Sequence, residues 1–113
     1  MICTTSRSGP ADLTVTVTGS VTRGEVDRLQ EELYAALYDG AASVMVDISG
    51  ALEVSLRVVP VLLRVAGRAA QSEIVFRVRS RDDVVGRVLT LLSSKNIIRV
   101  EPGEAGDAPT PED

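Results

Sequence analysis

At 113 residues the chain has room for one small domain, and 44% hydrophobic residues suffice for one core. The formal charge of -4 is unevenly placed: residues 101–113 carry Glu101, Glu104, Asp107, Glu112 and Asp113 with no base, leaving 12 basic and 11 acidic residues in the body. This composition excludes a membrane-spanning run of about 20 apolar residues, an N-terminal signal peptide and an internal disulfide, since Cys3 is the single cysteine.

One cysteine points to a reducing, cytoplasmic compartment. Eleven of the 12 basic residues are Arg, and Val and Ala abound, which hints at a GC-rich bacterial genome. Aromatics are limited to Tyr34, Tyr38 and Phe76, so the core must be built from Val, Leu, Ile and Ala.

Ile2 to Ser6 reads as a first strand turned at Ser8-Gly9-Pro10. Leu13 to Thr18 alternates Leu13, Val15 and Val17 with Thr14, Thr16 and Thr18, a strand with one face inward. Thr22-Arg23-Gly24-Glu25 has capping-box spacing, and the helix behind it places Val26, Leu29, Leu33, Ala36 and Leu37 on one stripe, with a stop at Asp39-Gly40. Tyr34 and Tyr38 lie off that stripe, either as interface anchors or as rings at the edge of the core.

Ser43 to Ser49 is apolar enough for a central strand, and a short connection leads from it to a second helix. Pro60 lacks an amide to donate, so the regular helix starts at about Arg57 or later. Projection at 100° per residue puts Val58, Leu62, Val65, Ala66 and Ala69 inward; Arg57, Arg64 and Arg68 fall opposite, with Val61 between them. That face is either a solvated basic stripe or a docking surface for an acidic partner. Three arginines could equally bind an anion, although no Gly-rich phosphate cradle accompanies them.

Glu73 to Arg79 alternates Ile74, Phe76 and Val78 with Val75, Arg77 and Arg79. Ser80 caps a third helix with Asp83 in box position, and Val84, Val85, Val88, Leu89 and Leu92 form its inner face. Ile97 to Val100 closes the order as a last strand, giving a β-β-α-β-α-β-α-β chain with parallel crossovers. Leu62, Val65, Val46, Ile74, Phe76 and Leu89 are expected in the core. Residues 1–100 form the domain, and the acidic Pro/Gly segment 101–113 is expected to be a disordered tail.

This order, with Asp47-Ile48-Ser49-Gly50 ending the central strand, resembles the STAS domain family (sulphate transporter and anti-sigma-factor antagonist). Gly19 after the second strand and Arg87-Val88-Leu89 in the third helix add to the resemblance. The resemblance implies an α/β fold with a four- to five-stranded mixed sheet and helices mainly on one face. The family's second tetrad, Asp-Ser-Ser-Gly or Asp-Ser-Thr-Gly, falls on Ser55-Leu56-Arg57-Val58. The serine that partner kinases phosphorylate in the family is therefore Leu56 here. Its Glu and Asp after the strand-end glycine become Ser20 and Thr22, and a glycine common after its third helix is replaced near Ser93.

The resemblance implies a regulatory protein-interaction module, with a kinase-type anti-sigma factor among the candidate partners. The alternative is a scaffold or ligand-sensing subunit binding a small anion or lipid. The implied contact residues are Ser20, Thr22, Arg23, Glu53, Ser55, Leu56, Arg57, Val61, Arg64 and Arg68, with Ser55 either a turn residue or a displaced phosphoacceptor. With no histidine, cysteine pair or nucleophile elbow, no catalytic residue, metal ligand or cofactor is expected. Nucleic acid is disfavoured by the absence of net positive charge. A monomer or weak homodimer is expected.

Overall fold

The computed structural model describes residues 1–81, 84–93 and 99–102. Its elements are β1 (Ile2–Gly9), β2 (Asp12–Val21), a 3-10 turn (Arg23–Glu25), α1 (Val26–Tyr38), β3 (Ser43–Asp47), β4 (Ala51–Val54), α2 (Val58–Gln71), β5 (Val75–Ser80), α3 (Val84–Ser93) and β6 (Arg99–Pro102). The sheet runs β1-β2-β3-β5-β6, antiparallel at β1-β2 and parallel elsewhere, with β4 added to the far end of β2. This is the expected mixed α/β architecture.

Register explains its two faces. Leu13, Val15 and Val17 of β2, Val44 and Val46 of β3, and Phe76 and Val78 of β5 join one buried cluster with the stripes of α1, α2 and α3. Period-2 alternation puts the other residues on the opposite face: Thr14 lies beside Met45 and Arg77, and Thr16 beside Asp47 and Arg79. The helices therefore cover one face, and a Thr- and Arg-bearing surface forms the other.

All five residues of the α1 stripe are buried, and the helix stops where Asp39 N donates to the Ala36 carbonyl and Gly40 takes φ +81°. The inward arc of α2 is likewise buried, and Pro60 is its third residue, where no intrahelical amide bond is lost. α2 ends with Ile74 N donating to the Ala69 carbonyl at 2.8 Å, and Glu73 adopts φ +59° in the left-handed position that glycine usually fills.

Several boundaries differ from the sequence reading. β1 runs to Gly9 rather than Ser6, and β5 begins at Val75. Ile74 is only half-buried against the core, because it lies in the connection before β5. β2 does not stop at Gly19. That residue takes φ +79°, the register shifts between Gly19 and Ser20, and the strand continues to pair with β4. β4 itself, expected as loop, is a strand in which Ser20 faces Glu53 and Val21 faces Val54.

The Thr22 capping box does not form. Thr22 precedes a 3-10 turn in which Glu25 N donates to its carbonyl at 2.9 Å, so α1 starts four residues later. Ser80 is the last residue of β5; its hydroxyl donates to the Arg81 carbonyl, while Asp83 lies outside the described residues. Val85 and Leu89 of α3 are buried and Val88 and Leu92 half-buried, while the side chain of Val84 lies outside the described set. Of the last strand, Ile97 and Ile98 also lie outside it. β6 reaches Pro102, with Glu101 opposite Arg79 and Pro102 opposite Ser80. Glu101 and Pro102, expected in the tail, thus belong to β6, and residues 103–113 lie outside the description.

Candidate functional site

Parallel pairing sends the C-terminal ends of β2, β3 and β5 to one end of the sheet, and the connections there carry most of the expected contact residues. The Asp47-Ile48-Ser49-Gly50 corner is locally determined. The Asp47 carboxylate oxygen Oδ1 accepts the Ser49 amide at 3.0 Å and the Ser49 hydroxyl at 2.5 Å, an Asx turn that keeps the buried hydroxyl satisfied. Asp47 Oδ2 lies 3.8 Å from Arg79 Nη1. Ala51 N donates to the Ile48 carbonyl to close the turn, and the Ala51 carbonyl accepts Arg81 Nη2 at 2.6 Å. Asp47 thus shapes the corner, and Arg81 ties that corner to the β5–α3 connection.

From there β4 rises beside β2, and Ser55 N donates to the Val21 carbonyl at 2.8 Å. Ser55 Oγ accepts the Arg57 amide, and its carbonyl accepts the Val58 amide at 3.0 Å. Ser55 therefore builds the turn that launches α2. Leu56, at the position matching the family's phosphoserine, is 53% exposed. Leu52 is 77% exposed on the same rim.

Ser20, Thr22, Arg23, Glu53, Ser55, Leu56 and Arg57 thus gather at one end of the molecule through β2–β4 pairing and the α2 turn. A cleft of about 280 Å³ opens there between the 3-10 turn and α2, lined by Arg23, Val26, Asp27, Arg57, Pro60, Val61 and Arg64. Arg64 Nη1 donates to Gln30 Oε1 at 2.7 Å, so its charge is hydrogen-bonded by a neutral group. Arg68 does not join the group. It lies about 16 Å along the helix from Arg57, where it donates to the Tyr38 hydroxyl at 2.8 Å and sits 5.9 Å from that ring's centroid.

Val61 requires a correction. It is 3% exposed and belongs to the core cluster, so it offers at most its edge to the cleft. A helical projection treats the side opposite the sheet as solvent, but α1 packs along α2 and covers Val61, with Gln30 and Tyr38 reaching its flanking arginines.

Leu52, Asp27 and Pro60 were missed as site residues. No apolar alternation in Ala51-Leu52-Glu53-Val54 announced Leu52, and the strand is buried, exposed, exposed and half-buried along those four residues. Tyr34 is half-buried against the core, whereas Tyr38 is 73% exposed. Cys3 is half-buried in β1; burial, then the Glu32 carboxylate, raise its thiol pKa above the ordinary value. Among the described residues no group of three His, Cys, Asp or Glu side chains is placed to hold a metal, and no helix is long and apolar enough to cross a membrane.

Solved structures share this architecture. The chain is similar to the unphosphorylated form of the anti-sigma factor antagonist SpoIIAA, with a TM-score of 0.70 at 8% identity, covering 92% of this chain and 91% of that one. An anti-sigma factor antagonist from Mycobacterium paratuberculosis gives 0.71 at 16% identity, covering 88% and 85%. The phosphorylated Bacillus cell fate determinant SpoIIAA gives 0.69 at 8% identity, covering 92% and 95%. At these identities the likeness shows the fold alone. No curated protein sequence matches the chain. The family described as "Mlab, STAS domain" matches residues 4–99, nearly the whole described body, and the chain belongs to that STAS family.

Proposed function

We propose that this STAS domain is a non-enzymatic regulatory module of a bacterial cytoplasm, which docks a protein partner through the rim of Thr22, Arg23, Leu52, Glu53, Leu56 and Arg57. The observation that carries this reading is the exposure of two leucines, Leu52 in β4 and Leu56 next to Arg57 of the cleft. Apolar anchors ringed by charge suit a partner surface that pairs apolar side chains with carboxylates. The likeness to anti-sigma factor antagonists makes a kinase-type anti-sigma factor or a related signalling complex the partner of first choice, with a role in transcription control.

In this reading the docking is not governed by the family's serine switch. Leu56 has no hydroxyl, and Arg57 places a permanent positive charge at the next position. A second reading, a scaffold or sensor that takes a small anion, is favoured by one observation: the 280 Å³ cleft with three arginines on its wall.

Crosslinking capture from the native cell, with Leu52→Asp/Leu56→Asp alongside, tests both. A sigma-regulator kinase captured by the unaltered chain and lost with the variant supports the first reading. Capture of a transporter or sensor by both forms supports the second.

A further inference from the structure

We propose that the arginine cleft between the 3-10 turn and α2 is filled, in the chain on its own, by the chain's acidic segment 103–113. This goes beyond partner docking and holds whether or not that reading does, because it concerns the isolated protein.

Charge selects the occupant. The segment carries Glu104, Asp107, Glu112 and Asp113 and no Lys or Arg, which leaves 12 acidic and 12 basic residues in the rest of the chain. The body is neutral as a whole but not locally. Arg23, Arg57 and Arg64 line the cleft against one carboxylate, Asp27. The ion pairs Arg7–Asp39 and Arg79–Asp47 do not involve a cleft arginine. The helix-free face of the sheet also bears arginines, but Arg79 there already lies 3.8 Å from Asp47. Pro60, with the edges of Val26 and Val61, gives the cleft a narrow apolar strip beside the arginines.

Topology supplies the reach. β2, β3, β5 and β6 are mutually parallel, so Pro102 leaves the sheet at the end where β2 leads into the Arg23 turn. Three strand spacings separate β6 from β2 in the sheet order, about 14 Å at about 4.8 Å each, and the registers set Pro102 level with Val17, so Val21 lies about 13 Å further along β2. The 11 residues of 103–113 extend to about 36 Å. The segment can cross the sheet end and bring its last acids, Glu112 and Asp113, to the cleft.

The test uses the full chain carrying Cys3→Ser and Ala108→Cys, with a nitroxide on the new thiol and amide signals read by NMR. The expected result at low salt is loss of signal at Arg23, Asp27, Arg57 and Val61. That loss should reverse near 0.5 M salt, where the Debye length is about 4 Å, and in Arg23→Gln/Arg57→Gln. Wild-type amide shifts compared with Glu104→Gln/Asp107→Asn/Glu112→Gln/Asp113→Asn should move at the same residues, with no change at Cys3. Signal loss centred on Arg77 and Arg79, or no loss at the cleft, overturns the proposal. So does equal loss when the label and the isotope are on different molecules, which would make a second copy the occupant.

Discussion

The Ser55 hydroxyl accepts the Arg57 amide at 3.2 Å, one residue to either side of the exposed Leu56. The hydroxyl next in sequence to Leu56, which the resemblance matches to the family's phosphoserine, is thereby engaged in starting α2. Intact-mass measurement after incubation with a cognate kinase is expected to show no stoichiometric phosphate on the chain. Ser55→Ala should cost about 1 kcal/mol, as loss of a helix-start hydrogen bond does. Stoichiometric phosphate at Ser55 that weakens partner binding would restore a shifted serine switch.

Leu62 is fully buried beneath α2, whereas Leu52 points into solvent. Leu62→Ala should lower stability by about 2–5 kcal/mol in a urea titration, and Leu52→Ala by less than about 0.5 kcal/mol. Equal effects would mean that the two leucines are misplaced.

Glu101 and Pro102 are paired to β5, and residues 103–113 follow them. Ending the chain after Pro102 should leave the melting temperature nearly unchanged, since a charged Pro/Gly segment buries little apolar area. Ending it after Val100 removes strand pairing worth about 1 kcal/mol, enough to lower the midpoint by about 4 °C or more. Thermal melts of the two truncations, run side by side, decide the point.

The Cys3 thiol is held above its ordinary pKa of 9.0 by burial, then by the Glu32 carboxylate. Its folded value exceeds its unfolded one, so the favoured state is the neutral thiol. The resulting contribution to stability is complete below the unfolded pKa and is lost as pH rises through the folded one. Iodoacetamide should alkylate Cys3 more slowly at pH 8 in the folded chain than in urea, because less thiolate is present. Equal rates would contradict the placement.

Glu73 occupies the left-handed cap of α2 at φ +59°, a conformation that costs a side-chain-bearing residue about 1–2 kcal/mol. Glu73→Gly should therefore stabilise the domain, by up to about 1 kcal/mol after the added freedom of the unfolded chain. A lower urea midpoint would argue against this cap geometry.

What could be read from residues alone depended on how much periodicity each element carried. The α1 stripe from Val26 to Leu37 spans three turns, and the alternation at Phe76 and Val78 continues through β5, so both elements were clear in the pattern. β4 was not, because its four residues carry no apolar alternation and its pairing with β2 follows the left-handed turn at Gly19. Capping spacing at Thr22 misled for a related reason: a 3-10 turn occupies the same four residues. Of the candidate contact residues, Ser20, Arg23, Glu53 and Arg57 lie at one end of the sheet, but only packing shows that Val61 is buried in the core and that Arg68 is turned toward Tyr38.

The register shift at Gly19 divides β2 into two lengths with different neighbours: Asp12 to Thr16 pair with β3, and Ser20 and Val21 pair with β4. The outer length is a two-stranded ribbon, and such ribbons are marginal by themselves. Val21 ties it to the core by packing, but with no further strand neighbour the ribbon is expected to open at a lower cost than global unfolding. In native-state hydrogen exchange the amides of Ser20, Val21, Val54 and Ser55 would then trade protons as one early group, ahead of Val15, Val46 and Val78. A rim that breathes independently could adjust to a partner's contour without loosening the frame that holds it.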